Sequence, residues 1–82
     1  MAAQETIPKD PAKVARILKA SLHAFAIDGY AGAKTETIAA TAKVSKGLIF
    51  HYFGSKQQLY LATVEHTMTS IMDELMPEFQ TP

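Results

Sequence analysis

Two short helical segments separated by only three residues, at residues 35–53, constrain the fold of this chain more than any other feature. The first segment has a narrow apolar face. The second places Ile49 and Phe53 one helical turn apart, so both side chains point to the same side. Ser45 stands directly before the second segment and is predicted to cap it, because a serine hydroxyl accepts a hydrogen bond from a free backbone N–H. A tight turn between two such helices is typical of a helix-turn-helix.

The first segment and the turn add detail to this prediction. Thr35 is predicted as the N-cap of the first segment, and Glu36 in its first turn suits the positive end of the helix dipole. Val44, in the turn, is predicted to be buried between the two helices. The apolar face of the first segment consists of Ile38, Ala39 and Ala42.

A longer helix is predicted before this motif. Asp10 is its N-cap and Pro11 its first residue, where the missing N–H of proline costs nothing. Gly29 ends the helix, because glycine tolerates the positive φ that often follows a helix, and residues 30–33 form a short loop. Residues 1–9 are predicted to be disordered. The apolar face of the helix consists of Val14, Ile17, Leu18, Leu22 and Phe25.

A fourth helix is predicted to begin at Ser55, after Gly54 breaks the chain. Ser55 and Gln58 match a capping box, in which each side chain bonds the backbone N–H of the other residue. The helix is predicted to run for about twenty residues, to Pro77 at the latest. Its apolar residues spread over more than one face, which calls for a partner on each side. They are Leu59, Tyr60, Leu61, Ala62, Val64, Met68, Ile71, Met72, Leu75, Met76 and Phe79.

The second half of this fourth helix therefore has nothing in the chain to pack against. One interpretation is that the 82 residues are a piece of a longer protein, cut where a second domain begins. The other is a methionine-rich end that forms a weak homodimer. Four helices with short connections place the chain in the all-α class.

Composition excludes several kinds of protein. The chain has no cysteine, so it holds neither a disulfide nor a thiolate nucleophile. No apolar run is long enough to span a bilayer, and the N-terminus lacks the layout of a signal peptide. The prediction is a cytoplasmic protein without membrane contact.

Charge is distributed unevenly along the chain, although the formal net charge is zero. Residues 34–56 carry four lysines against Glu36 alone, a net charge of +3, whereas residues 57–82 carry four acidic residues and neither lysine nor arginine. The basic part coincides with the predicted helix-turn-helix, as expected of a surface that binds nucleic acid. The four lysines are Lys34, Lys43, Lys46 and Lys56.

Catalytic patterns are absent from the sequence. His23, His51 and His66 do not have the spacing of metal ligands. No Ser-His-Asp set, paired-carboxylate pocket or glycine-rich phosphate loop is visible. The chain is therefore predicted not to be an enzyme and to need no cofactor or metal.

The region from Val14 to Val64 resembles the N-terminal domain of the TetR family of transcriptional repressors. The Gly29-Tyr30 pair matches that family, as does a long ordered pattern further along the chain. This pattern consists of Thr35, Ile38, Ala39, Ala42, Val44, Ser45, Lys46, Gly47, Ile49, Phe50, His51, Tyr52, Phe53, Ser55, Lys56 and Leu59.

The resemblance implies a three-helix, homeodomain-like helix-turn-helix domain at residues 10–54. It also implies that residues 55–82 form a connecting helix leading to a C-terminal domain that is absent from this chain. In the family, that domain forms the homodimer and binds a small-molecule effector, which releases the repressor from its DNA operator. A dimer reading a pseudo-palindromic operator is the expected function. The alternative is a helical protein-interaction module with a vestigial helix-turn-helix.

Residue roles are carried over from the family by position. Thr35, Tyr52 and Lys56 match positions that contact backbone phosphate. The segment from Ser45 to Phe53 matches the recognition helix, whose exposed start is Lys46-Gly47-Leu48. A recognition helix presents its N-terminal residues to base edges, where Lys46 can bond guanine and Leu48 can touch a thymine methyl.

Two departures from the family pattern stand out. Lys43 replaces a glycine at a turn position that often needs a positive φ. Phe50 replaces a tyrosine, which leaves it only apolar contacts with DNA. Glu36 occupies a position where some relatives read a base, although the helix dipole is the favoured interpretation here. The predicted DNA-contacting residues are Thr35, Lys43, Ser45, Lys46, Gly47, Leu48, Phe50, His51, Tyr52 and Lys56.

Overall fold

A computed structural model describes residues 9–76 of the chain, which form four helices and, within that range, no strand. The helices are α1 (Pro11–Gly32), α2 (Thr35–Ala42), α3 (Lys46–Phe53) and α4 (Lys56–Leu75). The predicted all-α fold is confirmed. Among the described helices, none has the length and apolar character needed to cross a membrane.

Helix α1 begins as predicted. The Asp10 carboxylate accepts a hydrogen bond from the Ala12 N–H at 2.9 Å, and Pro11 occupies the first helical position. Gly29 interrupts the helix with φ 74° and ψ 171°, a conformation that glycine adopts without strain. The prediction of a loop directly after Gly29 is wrong for Tyr30–Gly32. These residues add one more helical turn, which ends where the Ala33 N–H bonds the Gly29 carbonyl at 3.0 Å.

Helix α2 starts one residue earlier than predicted. Lys34 is its N-cap and gives no side-chain cap bond, while Thr35 is the first helical residue and is buried. The prediction of Thr35 as the N-cap is therefore wrong. The physical reason is backbone geometry: Lys34 holds the extended conformation of a cap, and its carbonyl accepts from the Thr37 and Ile38 N–H groups at 3.1 Å each.

The turn between α2 and α3 depends on a left-handed lysine. Lys43 has φ 61° and ψ 44°, so the positive φ expected at this position is confirmed. The Lys43 N–H bonds the Ala40 carbonyl at 3.2 Å, and the Val44 N–H bonds the Ala39 carbonyl at 3.0 Å. This pair of bonds is the Schellman motif, which satisfies carbonyls left free at a helix end.

Two serines begin the last two helices. Ser45 Oγ accepts from the Leu48 N–H at 3.0 Å, and Ser55 Oγ accepts from the Gln58 N–H at 3.1 Å. Both predicted caps are confirmed. The second bond of the predicted capping box, in which the Ser55 N–H would donate to the Gln58 side-chain oxygen, is not formed among residues 9–76. Gly54, at φ 95°, separates the two helices.

The core lies where the first three helices meet the first half of α4. Ile17, Ile38, Ile49 and Leu59 are almost fully buried, at 0–1% exposure. The predicted inward face of α2 is confirmed, since Ile38, Ala39 and Ala42 are all buried. Val44 and Phe53 are half-buried and pack against this core.

Two positions depart from the predicted core. Leu22 was expected on the apolar face of α1, but 44% of it is exposed, because it lines a groove, together with Thr67 and Met68 of α4, that stays open to solvent. Ala33 lies in the connection between α1 and α2, as predicted, but it is buried, with 1% exposure. A small side chain fits the space where α1 turns into α2.

Helix α4 carries most of the exposed large apolar side chains of the described residues. Helix α4 ends at Leu75, inside the predicted limit at Pro77. The predictions for residues 1–8, for Pro77 and for Phe79 lie outside the described residues. The exposed apolar side chains of α4 are Leu61, Val64, Met68, Ile71, Met72 and Leu75.

Candidate nucleic-acid interface

Helix α3 is held by one face and presents the other. Ile49 and Tyr52 point inward and are buried. Lys46, Gly47 and His51 are exposed. The first turn of α3 therefore faces solvent while its centre is fixed to the core, which is the arrangement that a recognition helix needs.

Leu48 and Phe50 are each half-buried. Leu48 was predicted to point away from the core, and this is wrong, because its side chain packs against the core cluster. Part of the Leu48 side chain remains accessible to solvent, so its contact with a thymine methyl stays a prediction. Phe50 is likewise partly buried and partly exposed.

Tyr52, which was predicted to contact phosphate, is largely buried. Only 7% of it is exposed, and its hydroxyl accepts a hydrogen bond from the Asp10 N–H at 3.1 Å. The hydroxyl therefore links the start of α1 to α3, across 42 positions of sequence. Its own hydrogen is still free to donate, and a phosphate contact through it stays a prediction.

Gly47 has no structural need to be glycine. Its φ is in the ordinary helical range, and a methyl group at this position would meet nothing closer than Ser45 Oγ, at 3.9 Å. Glycine inside a helix costs roughly 0.5–1 kcal/mol relative to alanine. Gly47 thus lowers the stability of α3, and the packing of the described residues does not require it. A residue without a side chain does, however, allow the surface of α3 to approach another molecule closely.

Lys46 is paired with Glu36 across the turn. Lys46 Nζ donates to Glu36 Oε2 at 2.7 Å, and the side chains are 49% and 66% exposed. The pair joins the first turn of α2 to the first turn of α3. The Lys46 ammonium also lies 5.9 Å from the centre of the Phe50 ring, where a cation is weakly attracted to the ring face.

The ion pair sets the charge state of Glu36. The hydrogen bond from Lys46 is the largest cause that lowers the pKa of the Glu36 carboxyl, and the Glu36 backbone N–H and the charges of Lys46 and Lys34 act in the same direction. A carboxyl whose pKa is lowered by its surroundings loses its pairing only as pH falls through that lowered pKa. The pair is therefore intact at neutral pH.

Lys56 begins α4 beside an aromatic cluster. The rings of Phe25, Tyr30 and Tyr60 contact one another, with centroids 5.1 to 6.0 Å apart. Lys56 Nζ lies 4.8 Å from the centre of the Tyr30 ring. This contact restrains the half-buried lysine at the positive end of α4, where a helix attracts anions.

The remaining predicted contacts lie near the same turn. Lys43 and Ser45 are exposed beside α3, while the Thr35 side chain is buried at the start of α2. Burial restricts what the Thr35 hydroxyl can reach, so a phosphate contact there rests mainly on the free N–H groups at the helix start. The roles of Lys43, Ser45, Thr35 and His51 at DNA stay predictions.

Besides the Asp10–Tyr52 bond, two further polar contacts were missed by sequence reasoning. Glu36 was assigned to the helix dipole, and its bond to Lys46 was not foreseen. Arg16 Nε donates to the Ala42 carbonyl at 2.9 Å, which ties the end of α2 to α1. The partners of these two bonds are 10 and 26 positions apart in the sequence. Such pairs cannot be predicted without knowing the angles at which the helices pack.

Over the described stretch 9–76, the histidine, aspartate and glutamate side chains form no group of three that could hold a metal ion. The exposed chemistry around α3 consists instead of lysine ammonium groups, one carboxylate and backbone N–H groups. Such a surface suits binding to phosphates and base edges.

Comparison with known proteins identifies the region that carries this surface. The model of the family described as "Bacterial regulatory proteins, tetR family" matches residues 17–63. This range runs from the middle of α1 through α2 and α3 into the first half of α4. It contains Glu36, Lys46 and Lys56.

Several characterised relatives are similar over the same region. The HTH-type transcriptional repressor NicS of Pseudomonas putida is 39% identical over 54 residues, which are 66% of this chain and 26% of that protein. The HTH-type transcriptional repressor SCO4008 of Streptomyces coelicolor is 41% identical over 64 residues, 77% of this chain and 33% of that protein. The HTH-type transcriptional regulator BetI of Paraburkholderia phytofirmans is 37% identical over 57 residues, 70% of this chain and 29% of that protein.

The chain thus spans about a quarter to a third of the length of these relatives. The matched part is their helix-turn-helix region, and the family model covers more than half of the chain. The chain belongs to the tetR family of bacterial regulatory proteins, and its described residues form the N-terminal helix-turn-helix domain of that family.

Proposed function

We propose that this chain is the DNA-binding part of a transcriptional regulator, with α3 as the helix that enters the major groove. The observation that carries the proposal is the two-sidedness of α3: its centre is locked into the core by Ile49 and Tyr52, while Lys46 and Gly47 stay exposed. The names of the relatives, which are HTH-type transcriptional repressors and regulators, support it.

In this proposal, residues 10–54 read the DNA and α4 connects them to a further domain. Lys43 and Lys56 contact phosphate on either side of α3, and Lys46 with Leu48 contacts bases. The first half of α4 also belongs to the core, through the buried Leu59 and Thr63. Only the second half of α4 is therefore free to act as a connector.

The proposed whole protein is a homodimeric repressor located in the cytoplasm. Two α3 helices, held by a C-terminal domain, would read half-sites of a pseudo-palindromic operator about one helical turn, ~34 Å, apart. A small-molecule effector bound to that domain would change this spacing and release the DNA. A single 82-residue chain should bind duplex DNA weakly, near the non-specific range of ~10⁻⁴–10⁻⁶ M.

The experiment that tests DNA binding uses Gly47→Ala. We expect this variant to melt at a slightly higher temperature than the native chain, because alanine loses less conformational freedom than glycine in a helix; the gain should stay below the roughly 0.5–1 kcal/mol of a helix interior, since Gly47 is the second residue of α3. We expect it also to bind duplex DNA more weakly, because the new methyl group stands between α3 and the groove. Circular dichroism melting and fluorescence anisotropy with a labelled duplex at several salt concentrations measure the two effects.

Opposite changes in stability and DNA binding would distinguish an interface from a packing position. If the native chain shows no salt-dependent binding to duplex DNA at low ionic strength, the proposal is wrong. If it binds but Gly47→Ala binds equally well, α3 does not approach DNA through its first turn. The alternative of a protein-interaction module is not favoured, since the relatives are named as regulators of transcription.

A further inference from the structure

Glu36 is placed where an acidic residue works against DNA binding. It is the sole acidic residue among positions 34–56, which otherwise carry four lysines. It lies in the first exposed turn of α2, and its carboxylate bonds Lys46 at the start of α3. On the proposed function, on which this inference rests, both groups face the duplex.

The ion pair contributes little to folding. The two side chains are 49% and 66% exposed, and exposed ion pairs are screened by water and salt. The core residues beneath them, such as Ile38 and Ile49, are fixed by apolar burial instead. The main effect of the ion pair is therefore on which groups of DNA Lys46 can bind.

A lysine paired with a carboxylate offers no net positive charge to a phosphate. Contact with a phosphate would also bring the Glu36 carboxylate close to the negative backbone, where like charges repel. The ammonium has three N–H donors, however, and only one bonds Glu36. A guanine offers two acceptors, O6 and N7, to a lysine in the major groove. Lys46 can therefore bond a guanine while it keeps Glu36.

We propose that Glu36 is a specificity-determining residue, which pairs with Lys46 to withhold this lysine from phosphates and so weakens binding to non-cognate DNA. The same ammonium lies 5.9 Å from the centre of the Phe50 ring, within reach of a weak cation–π attraction. Lys46 and Glu36 then read the groove as one unit, whereas Lys43 and Lys56 supply the sequence-independent attraction.

The test compares Glu36→Gln with a control of equal charge change, Glu65→Gln. Glu65 is exposed on α4, away from α2 and α3 in sequence. The probe is a random-sequence duplex pool, and binding is measured by anisotropy over a range of salt concentrations. We expect Glu36→Gln to bind this pool about three- to tenfold more tightly at low salt and to steepen the salt slope by about 0.9, the value for one added phosphate contact. Glu65→Gln should leave the slope unchanged.

A double-mutant cycle shows whether the gain passes through Lys46. In the native background, Lys46→Ala leaves the Glu36 carboxylate unpaired beside the duplex, so it should weaken binding to the random pool through charge repulsion. In the Glu36→Gln background, the same substitution should remove the whole gain. Sequencing of the DNA that each variant enriches from the pool should show weaker base preference for Glu36→Gln.

The outcomes separate the two claims. If no form of the protein binds DNA, the proposed function fails and this inference fails with it. If the native chain binds but Glu36→Gln matches Glu65→Gln in slope and affinity, Glu36 does not control specificity and only the inference is overturned. A gain that survives Lys46→Ala would also overturn it, since the charge alone would then explain the effect.

Discussion

Lys43 shows how a single residue serves two opposed requirements. Its backbone is left-handed, at φ 61°, where a residue with a Cβ atom is disfavoured by roughly 1–2 kcal/mol. A glycine would remove that cost, but it would also remove a positive charge next to α3. Lysine at this position thus keeps a positive charge beside α3 but leaves the backbone of the turn strained.

Lys43→Gly is therefore expected to stabilise the fold and weaken DNA binding. The free energy of unfolding should rise by up to about 1 kcal/mol, because the backbone strain is relieved. The higher entropy of glycine in the unfolded chain offsets part of this gain. Urea unfolding followed by circular dichroism measures the first effect, and anisotropy with duplex DNA the second. Lys43→Ala is the control: it keeps the Cβ atom, so it should lose the charge without gaining stability. Equal stability of the two variants would contradict the assigned strain.

Helix α4 is divided at the element scale into a half that belongs to the core and a half that does not. Leu59 is fully buried, whereas 61% of Met68 is exposed. The helix runs without a break from Lys56 to Leu75, and the Thr63 and Thr67 hydroxyls donate to carbonyls one turn back, at 2.7 and 2.8 Å. The two halves therefore differ in how far their side chains are buried, not in their backbone conformation.

Substitutions in the two halves should differ sharply in cost. Leu59→Ala removes a buried side chain and should lower the free energy of unfolding by about 2–5 kcal/mol, enough to unfold much of such a small domain. Met68→Ala should cost well under about 1 kcal/mol, because little of the side chain is taken from water. Thermal unfolding of both variants, followed by circular dichroism, checks the contrast. A large loss for Met68→Ala would indicate that its half of α4 is covered in solution.

Much of the arrangement of elements followed from local chemistry. Asp10, Ser45 and Ser55 mark helix starts because a side-chain oxygen next to free N–H groups leaves few other options. The spacing of apolar residues likewise predicted which face of α2 turns inward. These signals act over three or four residues, and within that range the sequence is nearly sufficient.

Longer contacts could not be read in the same way. Periodicity placed Leu22 on an apolar face but could not show that this part of the face lacks a cover. The Asp10–Tyr52 bond joins positions 42 apart, and the Glu36–Lys46 pair depends on how α2 crosses α3. Ala33 carries no pattern at all, since a small residue in a connection looks the same whether exposed or buried. The candidate site was thus predicted as a region, while its internal pairings were not.

Charge is separated across the whole molecule. Lys34, Lys43, Lys46 and Lys56 surround α3, whereas the described part of α4 beyond Lys56 carries only acidic charged residues, Glu65, Asp73 and Glu74. A field of this kind turns the basic face toward the phosphate backbone before contact. Although its total charge is zero, the chain is therefore expected to approach DNA with its basic face first.

Lys56 tests the sequence-independent part of this attraction. Lys56→Ala should weaken binding to all duplex sequences alike and reduce the salt slope by about 0.9, since one phosphate contact is lost. The matched control is Lys19→Ala, an exposed lysine of α1 outside the predicted contact set, which should leave the slope unchanged. Anisotropy titrations against two unrelated duplexes measure both. A change confined to one duplex would assign Lys56 to base reading instead.

The aromatic cluster beside Lys56 also gives the chain a built-in optical reporter. The protein has no tryptophan and three tyrosines, so its intrinsic emission comes from Tyr30, Tyr52 and Tyr60 alone. Two of these rings contact each other next to the Lys56 ammonium, and the third lies in α3. Tyr30 and Tyr60 therefore lie beside a lysine that is proposed to meet phosphate, and Tyr52 lies on the buried side of α3, so an unlabelled chain can signal a change there without any added dye.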